Sequence, residues 1–327
     1  MARLLVRIGT MGLLILLTYV AIWAIPTRTD LVYASLLDKH RLLANVSAPR
    51  LIFVGGSGIA LGLDSELLEA QLGMPVINMG VNAGFGLHYM LEEVQPYLQA
   101  DDIVVIIPEY EHFFGKLLEG DQNLLWALRI RPTTIRQLTW PQIMQAIPAL
   151  PAFFQQRVRE ILQRTPDPIY NRMAFNGHGD FVNHLMLPAK EIQPHAIAPQ
   201  TTVSPIALNR NALVQLAAFQ RSAQAKGATV VMIYPAIADN FWRYQDNQAV
   251  IAQLYDYIAT HQIIRQLALP SDYVLPKQYF FDTVYHLSAE GRQMRTKRVA
   301  QTLKTALPVL ACLNDCRNSS TASHPYP

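Results

Sequence analysis

Ser57 occupies a glycine-rich turn, Phe53-Val54-Gly55-Gly56-Ser57-Gly58, directly after a short apolar run. Far along the chain, Asp282 and His286 sit in Phe281-Asp282-Thr283-Val284-Tyr285-His286-Leu287-Ser288. A serine, an imidazole and a carboxylate are the parts of nucleophilic acyl transfer. Serine attacks poorly until a base takes its proton, and a carboxylate holds the imidazole in the required tautomer and stabilises its cation. His286 is therefore expected as the base and Asp282 as its orienting group, with the Ser57 N–H as one donor to a developing oxyanion. Plainer readings stand beside these: Ser57 as a small residue in a tight turn, and His286 as a helix N-terminal residue with a satisfied ring.

Other chemistries for the glycine turn fail on spacing. A phosphate loop needs G-x-x-x-x-G-K-[ST], but Leu63 follows Gly62, and G-x-G-x-x-G is not matched. A G-x-S-x-G nucleophile elbow fails because Ile59 stands two residues after Ser57. His88, His112 and His178 have no H-E-x-x-H spacing, so no metal and no cofactor is expected. Past the third apolar run, Glu109 and Tyr110 are candidates for a substrate pocket, while Glu109 and Glu111 also read as a solvated strand end.

The elements that must hold these residues are short apolar runs alternating with amphipathic stretches, the mark of β-α-β units and a mostly parallel sheet. Leu51 to Val54, Pro75 to Asn78, Ile103 to Ile107 and Ala228 to Tyr234 read as strands. Leu63 to Leu72 reads as a helix capped by Asp64 or Ser65 and ended by Gly73. Leu87, Met90, Leu91, Val94, Tyr97 and Leu98 predict one amphipathic helix, and Ile251, Leu254, Tyr255 and Ile258 another. A last helix is expected from Ala289 to Leu307, with Met294, Val299, Leu303 and Leu307 inward. Residues 50–307 thus form an α/β domain, interrupted over about 112–207 by a helical insertion, and residues 28–49 form a linker.

Residues 1–27 read as a membrane anchor. Arg3 and Arg7 precede an uncharged run from Ile8 to Ile25, close to the length that spans a hydrocarbon core of about 30 Å at about 1.5 Å per residue. No small-residue cleavage site stands between Ala24 and Arg28, which favours a retained anchor over a cleaved signal. Arg3 and Arg7 favour a cytoplasmic N-terminus, yet Arg28, Lys39 and Arg41 follow the span. The body is expected outside, although charge alone does not fix this. With 51% hydrophobic and 16% charged residues and a net charge of +3 spread along the chain, the 327 residues carry no basic patch for nucleic acid. Cys312 and Cys316 are two unrelated thiols or one small local disulfide, and residues 308–327 form a C-terminal tail that is polar from Arg317 to Pro327.

Gly55-Gly56-Ser57, followed by Gly62 and Asp64, resembles the first sequence block of SGNH (GDSL-type) hydrolases. Asn78-Met79-Gly80-Val81-Asn82-Ala83-Gly84 is similar to the second block, and Asp282 with His286 to the last. The resemblance implies a three-layer α/β/α flavodoxin-like domain, with Ser57 as nucleophile and Gly80 as an oxyanion donor. Two departures accompany it. Asp282 and His286 are separated by three residues where the family has two. The family's Asn after the third strand has no counterpart in Ile107-Pro108-Glu109-Tyr110-Glu111-His112, which leaves Asn82 or Tyr110 as substitute donors. Such variants resemble the membrane-associated branch that includes alginate-acetylation and D-alanylation proteins. That resemblance implies an esterase or O-acyltransferase acting on an acylated envelope polysaccharide or another extracytoplasmic substrate, beside a membrane-bound acyl donor. The alternative is a non-catalytic, membrane-tethered binding or assembly component with the same fold.

Overall fold

The computed structural model describes residues 1–115, 117–163, 165–197, 208–307 and 310. Cys312, Cys316, the tail and the end of the insertion lie outside these residues. The chain opens with α1 (Ala2–Ala24), long and apolar enough to cross a membrane and with no buried residue. Residues 28–49, read as a linker, instead hold a folded helix, α2 (Ser35–Asn45), whose Leu36 and Leu43 enter the main core. The polar Lys39 and His40 are buried on the same helix, and that mixture hid the apolar stripe from the sequence pattern.

β1 (Leu51–Gly55) is buried throughout and runs into α3 (Ser57–Ala60). α4 (Ser65–Leu72) starts where Asp64 Oδ1 accepts the Leu67 N–H at 3.2 Å and ends at Gly73, whose φ of 68° is the left-handed conformation glycine tolerates. β2 (Val76–Asn78) follows, then α5 (Leu87–Glu92) and β3 (Ile103–Ile107). The single helix expected over 87–98 stops at Glu92. Pro96 has no N–H to continue the ladder, and of the remaining stripe residues Tyr97 falls on a 3-10 turn, Gln95–Tyr97, which Val94 and Leu98 flank.

The insertion contributes α6 (Glu111–Phe114), α7 (Gln122–Ile130) and α8 (Trp140–Leu162). The α/β alternation then resumes with α9 (Arg210–Ala225) and β4 (Thr229–Met232). Next come the short pair member β5 (Ile237–Ala238), α10 (Asp239–Trp242), α11 (Asn247–Thr260), β6 (Val274–Leu275) and α12 (Ala289–Ala306).

The four long strands form one parallel sheet in the order β2-β1-β3-β4, and β5 pairs with β6 in a second, two-stranded parallel sheet. Near-continuous Val and Ile in β1, β3 and β4 fit strands covered on both faces. α4 packs on α12, and α5 on α9. The connections leave β1 and β3 in opposite directions, so the strand order reverses between them. Crevices at the carboxyl ends of an open parallel sheet form at such a reversal. α12 differs from expectation on its inner face. Val299, Leu303 and Leu307 are buried as read, but Met294 is 38% exposed, and Arg292 and Arg295 point inward in its place.

Candidate active site

Ser57 begins α3 at the carboxyl end of β1, beside the strand-order reversal. Its Oγ donates to Nε2 of His286 at 2.8 Å, and Nδ1 of His286 donates to Oδ1 of Asp282 at 2.8 Å. All three residues are half-buried, so the chain of hydrogen bonds borders solvent. Burial pushes the Asp282 carboxyl up, but hydrogen bonds from His286 and from the Tyr170 hydroxyl outweigh it and hold the acid below its usual range. Asp282 is thus ionised at neutral pH, as the orienting role requires. Burial, followed by the hydrogen bond to Asp282, holds the Tyr170 phenol well above its usual range, so it remains a donor.

The loop carrying the acid and base is tied at its ends. Phe280 bridges Leu287, and the Phe281 N–H donates to the His286 carbonyl at 2.7 Å. Inside the loop, Thr283 Oγ1 accepts the N–H groups of Tyr285 and His286. This closure accommodates the three residues between Asp282 and His286. Ser288 then caps α12, its Oγ accepting the Gly291 N–H at 3.3 Å. Behind the loop, burial lowers His184 to about 4, so its ring is neutral where Nε2 meets the Leu287 carbonyl at 2.9 Å.

The serine turn is held from below by two charges. Glu109, two residues past β3, is buried and accepts the Gly56 N–H at 3.2 Å and the Gly58 N–H at 3.1 Å. Arg295 Nη1 donates to the Gly58 carbonyl at 2.7 Å. Burial lowers this guanidinium to about 10, partly offset by nearby Tyr273 and Glu109, so it stays cationic at neutral pH. Glu109 is therefore a strut of the turn rather than a pocket wall. Tyr110 is fully buried and stacked on Tyr234 with ring centres 6.1 Å apart, so its hydroxyl lies in the core and not in a cleft. Glu111 accepts the Tyr285 hydroxyl at 2.8 Å and faces His195 Nε2 at 2.9 Å.

The groups read from sequence as oxyanion donors have partners of their own. The Gly80 N–H donates to Oδ1 of Asn78 at 2.9 Å and is consumed there. The Asn78 amide is fixed in turn by the Ile59 carbonyl and Asp180, and Lys39 Nζ donates to the Asn78 carbonyl at 2.6 Å. Asn82 Oδ1 accepts the Gly84 N–H at 2.8 Å, so this side chain caps the Ala83–Phe85 turn. Among the described residues, the N–H groups of Ser57 and Ala83 have no acceptor. Ala83 packs against the residue that precedes Ser57: a Cβ built on Gly56 would stand 2.7 Å from the Ala83 nitrogen. Tyr170, Arg295 and Ala83 were not found from sequence. Tyr170 lies in a stretch without periodicity, Arg295 reads as a surface helix cation, and a backbone N–H has no residue signature. No family model, no curated protein and no solved structure matches the chain.

Proposed function

We propose that this protein is a membrane-anchored serine esterase or O-acyltransferase of the SGNH kind. On this reading its parallel sheet is the core of a three-layer, flavodoxin-like domain, its body is extracytoplasmic, and it acts on an acylated envelope polysaccharide or a similar ester. The observation that carries this is the continuous hydrogen-bonded chain Ser57–His286–Asp282 at the carboxyl end of the sheet. Strand order β2-β1-β3-β4 with the serine after β1 also supports it.

The geometry supports the following chemistry. Ser57 Oγ attacks the ester carbonyl while Nε2 of His286 takes its proton, and Asp282 stabilises the imidazolium. The carbonyl oxygen becomes an oxyanion that the Ser57 and Ala83 N–H groups receive. Collapse breaks the bond to the alkoxide, which leaves with the proton from His286. Water, or a hydroxyl of an acceptor, then attacks the acyl-serine with His286 again as base. Water yields hydrolysis, and an acceptor yields transfer.

A second reading, a non-catalytic tethered component, is favoured by one observation. The position where the resemblance implies an asparagine donor holds Glu109, a carboxylate that accepts hydrogen bonds and donates none. The test uses the full chain in detergent micelles, with p-nitrophenyl acetate hydrolysis and fluorophosphonate labelling compared between wild type and Ser57→Ala. On the catalytic reading, Ser57→Ala loses labelling and turnover falls by at least about 10³-fold. Equal inertness of two well-folded proteins would transfer the case to the second reading.

A further inference from the structure

The outward face of α8 is apolar where a solvent-facing helix would be polar. Trp140, Met144, Ile147, Val158 and Leu162 recur at helical spacing and are between 39% and 73% exposed. Pro141, Pro148, Pro151 and Ala152 lie on the same exposed face, which only Gln155 and Arg159 interrupt. The opposite face is satisfied against the body by Phe153, Phe154, Arg157 and Glu160. An exposed apolar stripe of this length on a folded protein marks an interaction surface.

What covers the stripe is indicated by its neighbour. At the middle of α8, Phe154 stacks on Tyr19 of α1 with centres 4.2 Å apart, and Phe153 meets Trp23 at 5.7 Å. Arg129 and Arg157 both donate to the Ile25 carbonyl that ends α1, at 2.8 and 2.7 Å. α8 is thus fastened to the last turns of the one described helix that is long and apolar enough to span a bilayer. Tyr19 and Trp23 are the aromatic types that sit at headgroup level. We infer that α8 lies in the plane of the bilayer interface, its outward face embedded at the boundary between headgroups and acyl chains.

The depth is shallow. Pro148 and Pro151 cannot donate, which frees the carbonyls of Met144 and Ile147, and a freed carbonyl is tolerated among hydrated headgroups but not in hydrocarbon. Arg136 and Arg159, both exposed, stand near the two ends of the helix, where they meet lipid phosphates. The inference rests on α1 being inserted in a lipid bilayer, and it is independent of any chemistry at Ser57.

The test uses the full chain with Cys312→Ser and Cys316→Ser, reconstituted at one copy per lipid nanodisc. Single cysteines at Met144→Cys, Ile147→Cys and Val158→Cys carry an environment-sensitive fluorophore. Lys297→Cys and Gln224→Cys, exposed on α12 and α9, serve as solvent controls, and Leu14→Cys reports on α1 itself. The α8 labels are expected to shift to the blue and to lose most of their quenching by aqueous iodide. Lipids spin-labelled near the headgroup should quench them more than lipids labelled near the bilayer centre, while the controls stay iodide-accessible. If Leu14 is lipid-protected and the α8 labels remain as iodide-accessible as the controls, the inference is overturned. Protection that needs two copies per disc would also overturn it, making the face a self-association surface. An unprotected Leu14 would remove the anchor and the inference together.

Discussion

At the residue scale the site depends on how carboxylates are partnered. Asp282 receives two donors and sits below its usual range, whereas Glu109 spends both oxygens on backbone N–H groups of the serine turn. Glu109→Gln is therefore expected to cost about 1–3 kcal/mol, because an amide accepts through only one oxygen and turns its NH2 against a glycine N–H. Chemical denaturation of the two proteins measures this, and an unchanged midpoint would remove Glu109 as the strut. Ser57, Asp282 and His286 were legible because each stands beside a local signal, a glycine turn after a buried strand or a cap before a helix. The partner of the Gly80 N–H was not legible for a complementary reason: the Asn78 side chain that accepts it is two residues away, and only the folded turn shows which way that amide points.

At the scale of elements, strands and helix caps could be read from pattern, while helix faces made of charge could not. α12 places Arg292 and Arg295 inward because Leu63 and Gly58 carbonyls wait for them, a demand set by a turn more than two hundred residues earlier. That contact needs Gly62: a Cβ there would meet the Gly58 carbonyl oxygen at 2.3 Å and Arg295 Nη1 at 2.4 Å. Gly62→Ala should destabilise the protein by about 3 kcal/mol through this overlap. It should also slow fluorophosphonate labelling of Ser57, since the turn must move. Parallel unfolding and labelling curves check both effects, and a wild-type labelling rate would show that the turn does not need this packing. The break of the 87–98 stripe at Pro96 teaches the related point that a single missing donor outranks a good apolar period.

At the scale of the whole molecule, the protonation of the buried Lys39 reaches overall stability. Burial lowers Lys39 to about 7, against the opposing pull of Asp180 and Glu93. An unfolded lysine titrates near 10.4, so between these values the unfolded chain holds a proton that the folded chain has lost, and stability rises with pH. From about pH 7 to about pH 9 this amounts to about 2 kcal/mol, a gain that Lys39→Met should abolish; the unfolding free energy measured across that interval decides it. Another property of the whole chain concerns timing. Ser57 and His286 are 229 positions apart, and the Gly58 carbonyl closes on Arg295 at a separation of 237. On the proposed chemistry, a growing polypeptide carries Ser57 through most of synthesis without His286, the base that would activate it. On that chemistry, a chain that ends before His286 would be a silent product, however well its sheet assembles.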